Sequence, residues 1–199
     1  MHKILEDDIL SVTSNPKINW EKIKGCNVLV TGAYGFLASS LIDVLLAKGV
    51  RVTAVVRSIE KAHKRFSHSN IDFVHQDVIV PFTSSVGHDY VIHAASPASH
   101  LHYALHPVDV IQANVTGTMN YLQYATNCRA KRFMLFSTGG VMGNINDLVP
   151  ASETDYGYLD LLNVESCYGE SKRLAETLCA CWKHQYGLSY VTIRPSYIY

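Results

Sequence analysis

This sequence of 199 residues lacks the features that mark several large classes of protein. Lys plus Arg and Asp plus Glu each number 17, so the formal net charge is zero. A neutral chain has no broad electrostatic attraction to nucleic acid or to an anionic membrane surface. No uninterrupted apolar run approaches the ~20 residues that a membrane-spanning helix needs. The stretch MHKILEDDIL also lacks the basic and long apolar regions of a secretory signal, so we expect neither a nucleic-acid partner nor a membrane anchor.

Cysteine and histidine patterns typical of disulfide frameworks and metal sites are absent too. The five cysteines are odd in number and scattered, and no two form a CxxC pair, which argues against a disulfide framework or a zinc site. The ten histidines show no HExxH spacing. Because free thiols suit a reducing compartment, we expect a cytoplasmic protein without a bound metal ion.

The composition and the hydrophobic pattern are those of a globular α/β domain. Hydrophobic residues make up 48% of the chain and charged residues 17%, which allows one domain with a sizeable core. Apolar runs that predict strands alternate with stretches of helical spacing, which favours a parallel sheet covered on both faces. The predicted strands span 27–31, 52–56, 71–75, 90–94, 133–136 and 190–193, and the predicted helices span 37–48, 58–67, 107–127 and 166–186. Residues 1–24 are predicted to form a helical extension that leads into a domain at 25–199.

A glycine-rich turn joins the first predicted strand to the helix that follows it. In VTGAYGFLAS the small residues Gly32, Gly35 and Ala38 recur at every third position. Glycine lets the backbone turn tightly and approach a pyrophosphate, which the N–H groups and dipole of the following helix then hold. A small residue at position 38 lets the helix pack close to the sheet. The alternative is a plain strand-to-helix loop, but in this context the pattern predicts nucleotide binding.

A tyrosine and a lysine lie one helical turn apart in ESCYGESKRLAETL. Tyr168 and Lys172 are spaced i, i+4 and share a face of the predicted helix. A nearby ammonium stabilises a phenolate, and the pair can then move a hydroxyl proton during hydride transfer. This spacing is common by chance on amphipathic helices. Thr138, just beyond the strand FMLFS, is a further hydroxyl in the same predicted order, although it could equally be bonded to backbone.

These motifs together resemble those of the extended short-chain dehydrogenases/reductases, which include nucleotide-sugar epimerases and dehydratases. The resemblance covers essentially the whole chain and implies a Rossmann-type doubly wound parallel sheet that binds NAD or NADP. It also implies hydride transfer at C4 of a nucleotide-diphosphate sugar. Tyr168 would be the acid/base, Lys172 would bind the nicotinamide ribose, and Thr138 would hydrogen-bond the reacting oxygen.

The resemblance also implies a set of cofactor contacts. The segment VTAVVRS offers Arg57 and no carboxylate after the second strand. That arginine could pair with a 2′-phosphate or could be merely solvated, so NADP is mildly favoured over NAD. The predicted cofactor-binding residues are Gly32, Tyr34, Gly35, Phe36, Leu37, Arg57, Asp77, Val78, Ala94, Ala95, Ser96, Asn114, Ser137, Tyr168, Lys172, Arg194 and Pro195.

One departure from the family pattern concerns the reaction. The segments SPASHLHYALHPVDVIQANVTGT and ESCYGESKRLAETL look like those of UDP-glucuronate decarboxylases and dTDP-glucose 4,6-dehydratases. Those enzymes usually carry an acidic residue just after the active-site threonine, where this chain has Gly139 and Gly140, and Met142 replaces a tyrosine. Elimination and decarboxylation are therefore less expected than 4-epimerisation or ketone reduction. Glu153 or Glu165 could substitute for the missing carboxylate.

A second departure concerns the extent of the chain. The sequence ends at RPSYIY, whereas family members continue into a domain that grips the sugar nucleotide. The alternative to an enzyme is therefore a catalytically incomplete dinucleotide-binding fragment or module. Family members often dimerise through a four-helix bundle, which here would use the predicted helices at 107–127 and 166–186.

Overall fold

The computed structural model describes residues 3–66, 71–145, 151–196 and 198, and it contains a six-stranded parallel sheet. The strands are β1 (Asn27–Thr31), β2 (Arg51–Val56), β3 (Ile71–His75), β4 (Tyr90–His93), β5 (Arg132–Phe136) and β6 (Tyr190–Ile193). Their order across the sheet is β3-β2-β1-β4-β5-β6. Because β1 pairs with both β2 and β4, the strand order reverses beside β1. In open parallel sheets, ligands bind in the crevice that forms at such a switch point.

Helices connect the strands and cover the sheet. They are α1 (Lys3–Thr13), α2 (Phe36–Ala47), α3 (Ile59–Arg65), α4 (His100–Leu105), α5 (Pro107–Asn127) and α6 (Ser166–Tyr186), with 3₁₀ turns at Trp20–Lys22 and Gly139–Met142. The predicted bounds of β1, β3, β6, α5 and α6 are confirmed, and the other predicted elements differ by one or two residues at their ends. Residue 67, the predicted end of the third helix, lies outside the described residues. The short helix α4 and the two 3₁₀ turns were not predicted, because segments this short show no recognisable helical periodicity.

The core lies on both faces of the sheet. Leu29 of β1 packs in a cluster with Tyr121 and Leu122 of α5, whereas its neighbours Val28 and Val30 pack in a second cluster. That second cluster includes buried residues of α2 and α3, such as Ile42 and Ala62. Successive residues of a strand point to opposite faces, so a strand buried on both sides is apolar at every position. The predicted doubly wound α/β fold is confirmed.

The N-terminal helix α1 lies against α2 and contains no buried residue. The division of the chain at residue 24 stays a prediction. No helix among the described residues is both long enough and apolar enough to cross a membrane. All five cysteines are free thiols.

A glycine ends α6 and provides a first test of the fold. Gly187 has φ +73°, and its N–H donates to the Lys183 carbonyl at 3.0 Å. A Cβ at this position would meet no atom within 4 Å, so Gly187→Ala carries only the conformational cost of a left-handed residue. We expect the free energy of unfolding to fall by ~1 kcal/mol, measured by denaturant titration.

The matched control is Gly87→Ala. Its Cβ also meets open space, and Gly87 has no positive φ, so this substitution should cause no loss of stability. Equal losses in the two variants would contradict the assignment of Gly187 as a conformational helix stop.

Candidate functional site

A cleft of about 170 Å³ lies at the carboxyl ends of β1, β2 and β4. Nine of the predicted cofactor-binding residues line it, namely Gly32, Tyr34, Gly35, Arg57, Asp77, Val78, Ala94, Ala95 and Ser96. Sequence reasoning missed four other lining residues, Val55, Gln76, Pro97 and Ala113. All four lie within two positions of a predicted residue in the sequence. The sequence located these segments at the site but did not show which of their side chains point into the cleft.

The glycine turn forms the floor of this cleft through a close backbone approach. Gly32 has φ +65°, and a Cβ there would lie 2.8 Å from Ala95 Cα and 2.9 Å from Ala95 N. The Gly35 N–H donates to the Gly32 carbonyl at 2.8 Å, and α2 begins at the next residue. In the described part of the chain no side chain caps this helix N-terminus, so its first N–H groups have no side-chain acceptor there. Ala38 is buried where α2 packs on the sheet, as predicted from its small size.

A buried hydroxyl holds the two sides of the cleft together. Thr31 Oγ1 accepts hydrogen bonds from Ala94 N and Ala95 N, both at 3.1 Å, and lies 2.8 Å from His93 Nδ1. Since two donors occupy the oxygen, the Thr31 hydroxyl donates its own hydrogen to His93 Nδ1. Burial, followed by the charge of Lys172, lowers the pKa of His93 to about 3, so the ring is neutral. Neither Thr31 nor His93 is among the predicted site residues, although a threonine directly before the turn glycine was a visible signal.

Two charged side chains lie at the rim of the cleft. Arg57 Nη1 is 4.0 Å from Asp77 Oδ2, and both side chains are partly exposed. The other Asp77 oxygen accepts from Ile79 N at 3.2 Å. Among the described residues that line the cleft, Arg57 is the single cation.

The predicted lysine and threonine both lie near the carboxyl end of β5. Lys172 is fully buried in α6, and its Nζ donates to the Phe136 carbonyl at 2.7 Å. Burial lowers the pKa of Lys172 to about 8, against an opposing effect of Glu176. Thr138 begins the 3₁₀ turn, and its Oγ1 accepts from Gly140 N at 3.2 Å. Ser137 lies between Phe136 and Thr138 in the sequence, and its buried Oγ has no partner among the described residues.

Tyr168 lies one turn before Lys172, at the start of α6. Its ring stacks on that of Tyr103 from α4, with centroids 4.6 Å apart and an interplanar angle of 14°. Val110 of α5 and Cys167 of α6 complete this small apolar cluster. Sequence reasoning missed Tyr103, because nothing local connects it to a residue 65 positions away in the sequence.

A chain of side-chain hydrogen bonds links the cleft to Tyr168. Ser96 Oγ donates to Asn114 Oδ1 at 2.7 Å, and Asn114 Nδ2 donates to Ser171 Oγ at 2.9 Å. The Ser171 hydroxyl in turn donates to the Tyr168 carbonyl at 3.1 Å. The predicted Asn114 therefore bridges the β4 loop and α6, so the cleft and the helix with Tyr168 have a fixed relative position.

Some predicted cofactor contacts lie outside the lining of the cleft. The Arg194 guanidinium donates to both carboxylate oxygens of Glu176, at 3.0 and 2.6 Å, and to the Glu153 carbonyl at 2.6 Å. The Pro195 carbonyl accepts from Gly139 N at 3.0 Å, which brings β6 beside the 3₁₀ turn. The lining also lacks Phe36 and Leu37. Asn114, Ser137, Tyr168 and Lys172 are outside it as well. For all the predicted cofactor-binding residues, inside the lining or outside it, cofactor contact stays a prediction.

The backbone conformation does not require glycine at positions 139 and 140, directly after Thr138. Neither has a positive φ. A Cβ on Gly139 would meet the Pro195 carbonyl at 3.7 Å, and one on Gly140 would meet Thr138 Cγ2 at 3.5 Å, both ordinary contacts. Glu153 and Glu165 are exposed and do not line the cleft. Within the described lining, Asp77 at the rim is the single carboxylate.

The chain is similar to known proteins in sequence and in structure. It is 41% identical over 161 residues to UDP-glucuronic acid decarboxylase 2 of Arabidopsis thaliana, a match that covers 79% of this chain and 35% of that protein. It also superimposes on the UDP-glucose 4-epimerase of Thermotoga maritima with a TM-score of 0.72 and 26% identity, covering 84% of this chain and 54% of the other. The UDP-glucose 4-epimerase of Thermus thermophilus, solved in complex with NAD, gives 0.72 and 25%, again over 84% and 54%.

The chain thus spans about a third of the first relative and about half of the two solved epimerases. A model of the NAD dependent epimerase/dehydratase family matches residues 28–199, which include the glycine turn, the Tyr168–Lys172 pair and, apart from Asn27, all six strands. This chain therefore belongs to the NAD dependent epimerase/dehydratase family.

Proposed function

We propose that this chain binds a nicotinamide dinucleotide and is part of an enzyme that moves hydride at C4 of a nucleotide-diphosphate sugar. The observation that carries the proposal is the hydrogen-bonded chain Ser96–Asn114–Ser171. It joins the cleft at the glycine turn to the helix that bears Tyr168 and Lys172. The names of the similar proteins, which act on UDP-sugars, support the substrate class.

The residues present fit such a cofactor. Gly32 leaves open the space that a Cβ would fill against Ala95, and the N-terminus of α2 offers N–H groups and a positive dipole end to a pyrophosphate. Ser96 and Ala94 bring small side chains to the same edge. A bound nicotinamide supplies the acceptor and donor of the hydride.

Side chains of this protein transfer the proton in the proposed reaction. The Tyr168 oxygen takes or returns the proton of the sugar hydroxyl, while the charge of Lys172 on the same helix face stabilises the phenolate. With a pKa of about 8, Lys172 is mostly charged at neutral pH. Because the Gly140 N–H already donates to Thr138 Oγ1, the Thr138 hydroxyl keeps its own hydrogen for the reacting oxygen.

The proposed reaction needs no further carboxylate. Gly139 and Gly140 leave bare backbone beside Thr138, and the exposed Glu153 and Glu165 do not line the cleft. We therefore propose 4-epimerisation or ketone reduction rather than elimination or decarboxylation. The alternative is a dinucleotide-binding module without a sugar site, and the turnover test below separates the two.

We also propose a homodimer and a cytoplasmic location. Exposed apolar side chains occur along α5 and α6, including Val108, Ile111, Met119 and Leu174, and these two helices pack against each other. The same pair from a second copy would complete a four-helix bundle. The five free thiols suit a reducing compartment.

A pair of glycine substitutions tests the cofactor cleft. Gly25 and Gly32 both have positive φ, but a Cβ on Gly25 meets nothing within 4 Å, whereas one on Gly32 strikes the Ala95 backbone. Gly32→Ala should weaken NAD or NADP binding by at least ~10-fold, while Gly25→Ala should lose ~1 kcal/mol of stability and keep the affinity. Cofactor titration by fluorescence, with circular dichroism as the folding check, measures both. Unchanged affinity in Gly32→Ala would remove the cleft assignment.

The cofactor preference depends on Arg57. We expect a mild preference for NADP and a loss of NADP affinity of about 10-fold in Arg57→Gln, with NAD affinity little changed, since only NADP carries the 2′-phosphate. Arg51→Gln is the control, because Arg51 lies at the opposite end of β2 and bonds Asn27 and Gly25. Tighter binding of NAD than of NADP by the parent chain would show that the NADP preference is wrong.

The acid/base assignment is tested with Tyr168→Phe. In the presence of cofactor and a panel of nucleotide-diphosphate sugars, this variant should lose turnover by roughly 10²–10⁴-fold while it keeps cofactor affinity. Tyr186→Phe, at the exposed far end of α6, should keep turnover. Chromatography of the products distinguishes an epimer from a decarboxylated sugar.

Two outcomes would count against the proposal. Unchanged turnover in Tyr168→Phe would exclude this residue as the acid/base. Cofactor binding without turnover of any sugar, in this chain and in any longer form of the protein, would favour the binding module.

A further inference from the structure

A second tyrosine contacts the proposed acid/base. Tyr103 is buried, at 7% exposed, and its ring lies nearly parallel to that of Tyr168 at a centroid distance of 4.6 Å. Among the described residues, Tyr168 has no other aromatic contact. Aromatic pairs at this separation attract each other beyond the area that they bury, so Tyr103 restricts the plane and the tilt of the Tyr168 ring.

The position of Tyr103 is itself fixed from several sides. Ser99 caps the short helix α4 by accepting from His102 N at 3.2 Å. The helix leads directly into α5, where the N–H of Val110 donates to the His106 carbonyl at 3.2 Å. Val110 is fully buried against Tyr103. Tyr103 therefore links the positions of α4 and α5 to that of Tyr168 on α6.

The environment of Tyr103 keeps its hydroxyl protonated. Burial raises the pKa of Tyr103 well above its ordinary value, and the adjacent Tyr168 acts in the same direction. Among the described residues, the other titratable groups beside it are Cys167, whose pKa burial also raises, and His100, whose ring centroid lies 5.6 Å from that of Tyr103. A neutral phenol can donate to a neighbouring phenolate, which stabilises the anion.

We propose that Tyr103 is a positioning residue for Tyr168: its ring orients the Tyr168 ring, and its hydroxyl donates to the Tyr168 oxygen when that oxygen is ionised. The inference rests on the proposed function of Tyr168. It adds a group from the β4–α5 segment to a site whose other proposed catalytic residues come from α6 and the end of β5.

The direct test follows the ionisation of Tyr168 by ultraviolet difference spectroscopy, and it needs no substrate. The parent protein and each variant are titrated with and without an additional Tyr168→Phe substitution. The difference between the two titrations of a pair isolates the phenolate signal of Tyr168. In Tyr103→Phe the midpoint of this signal should move up by about one pH unit, a tenfold change in the protonation equilibrium, because the anion has lost a donor. Tyr103→Leu lacks the same hydroxyl and should show the same shift, which provides a second, independent variant.

Two controls accompany these variants. Tyr124→Phe removes a phenol hydroxyl that bonds the Val86 carbonyl and His88 rather than Tyr168, and should leave the midpoint unchanged. His100→Gln removes the titratable ring beside Tyr103 and should also leave it in place. A shift in His100→Gln as large as that in Tyr103→Phe would assign the effect to the histidine and overturn the proposal.

The effect on turnover separates this proposal from the proposed function. With a sugar that the parent protein turns over, the acid limb of the rate profile should move to higher pH in Tyr103→Phe, with KM little changed. Tyr103→Leu, which also loses the stacked ring, should lose more turnover. An unchanged midpoint in both Tyr103 variants overturns the role of Tyr103 even where Tyr168→Phe abolishes turnover. Full turnover in Tyr168→Phe would instead reject the proposed function itself.

Discussion

The close approach of the Gly32 backbone to Ala95 is the contact on which the rest of the site depends. It brings the turn after β1 within van der Waals distance of the loop after β4. Thr31, one residue before the glycine, accepts both N–H groups of that loop with a single oxygen. Buried backbone N–H groups must find a hydrogen-bond acceptor. The Thr31 hydroxyl accepts from two of them and also donates to His93. The two sides of the sheet's switch point are thereby joined through Thr31 and Gly32.

The second half of the site is attached to the first through buried polar groups rather than through the sheet. Asn114 on α5 contacts the loop after β4 on one side and Ser171 of α6 on the other. Each of these groups is satisfied by its neighbour, so the network specifies one arrangement of α5 against α6. That arrangement brings Lys172 to the carbonyl at the end of β5. The buried ammonium of Lys172 donates to a carbonyl and has no ion pair with a carboxylate in the described part of the chain. Its loss of solvation outweighs the opposing effect of Glu176, which explains the direction of its pKa shift.

The turn after Thr138 is a place where side chains can differ without a change in the backbone. The backbone at Gly139 and Gly140 has room for side chains, yet the sequence provides none. A relative named for decarboxylation is 41% identical over most of this chain. Because side chains at these two positions would leave the backbone contacts intact, the fold can persist while the side chains after Thr138 differ.

The sequence by itself determined the strands, the longer helices and the local motifs. The bounds of α5 and α6 follow from apolar periodicity, and the glycine turn and the Tyr168–Lys172 pair follow from spacings of a few residues, which local geometry translates directly into shared faces. Only the tertiary structure decided that Tyr103 stacks on Tyr168, that Arg194 pairs with Glu176, and that Thr31 bonds the loop after His93. These partners are separated by 18 to 65 positions. A contact of that kind depends on how helices and strands pack against one another, and a periodic pattern along the chain carries no information about it.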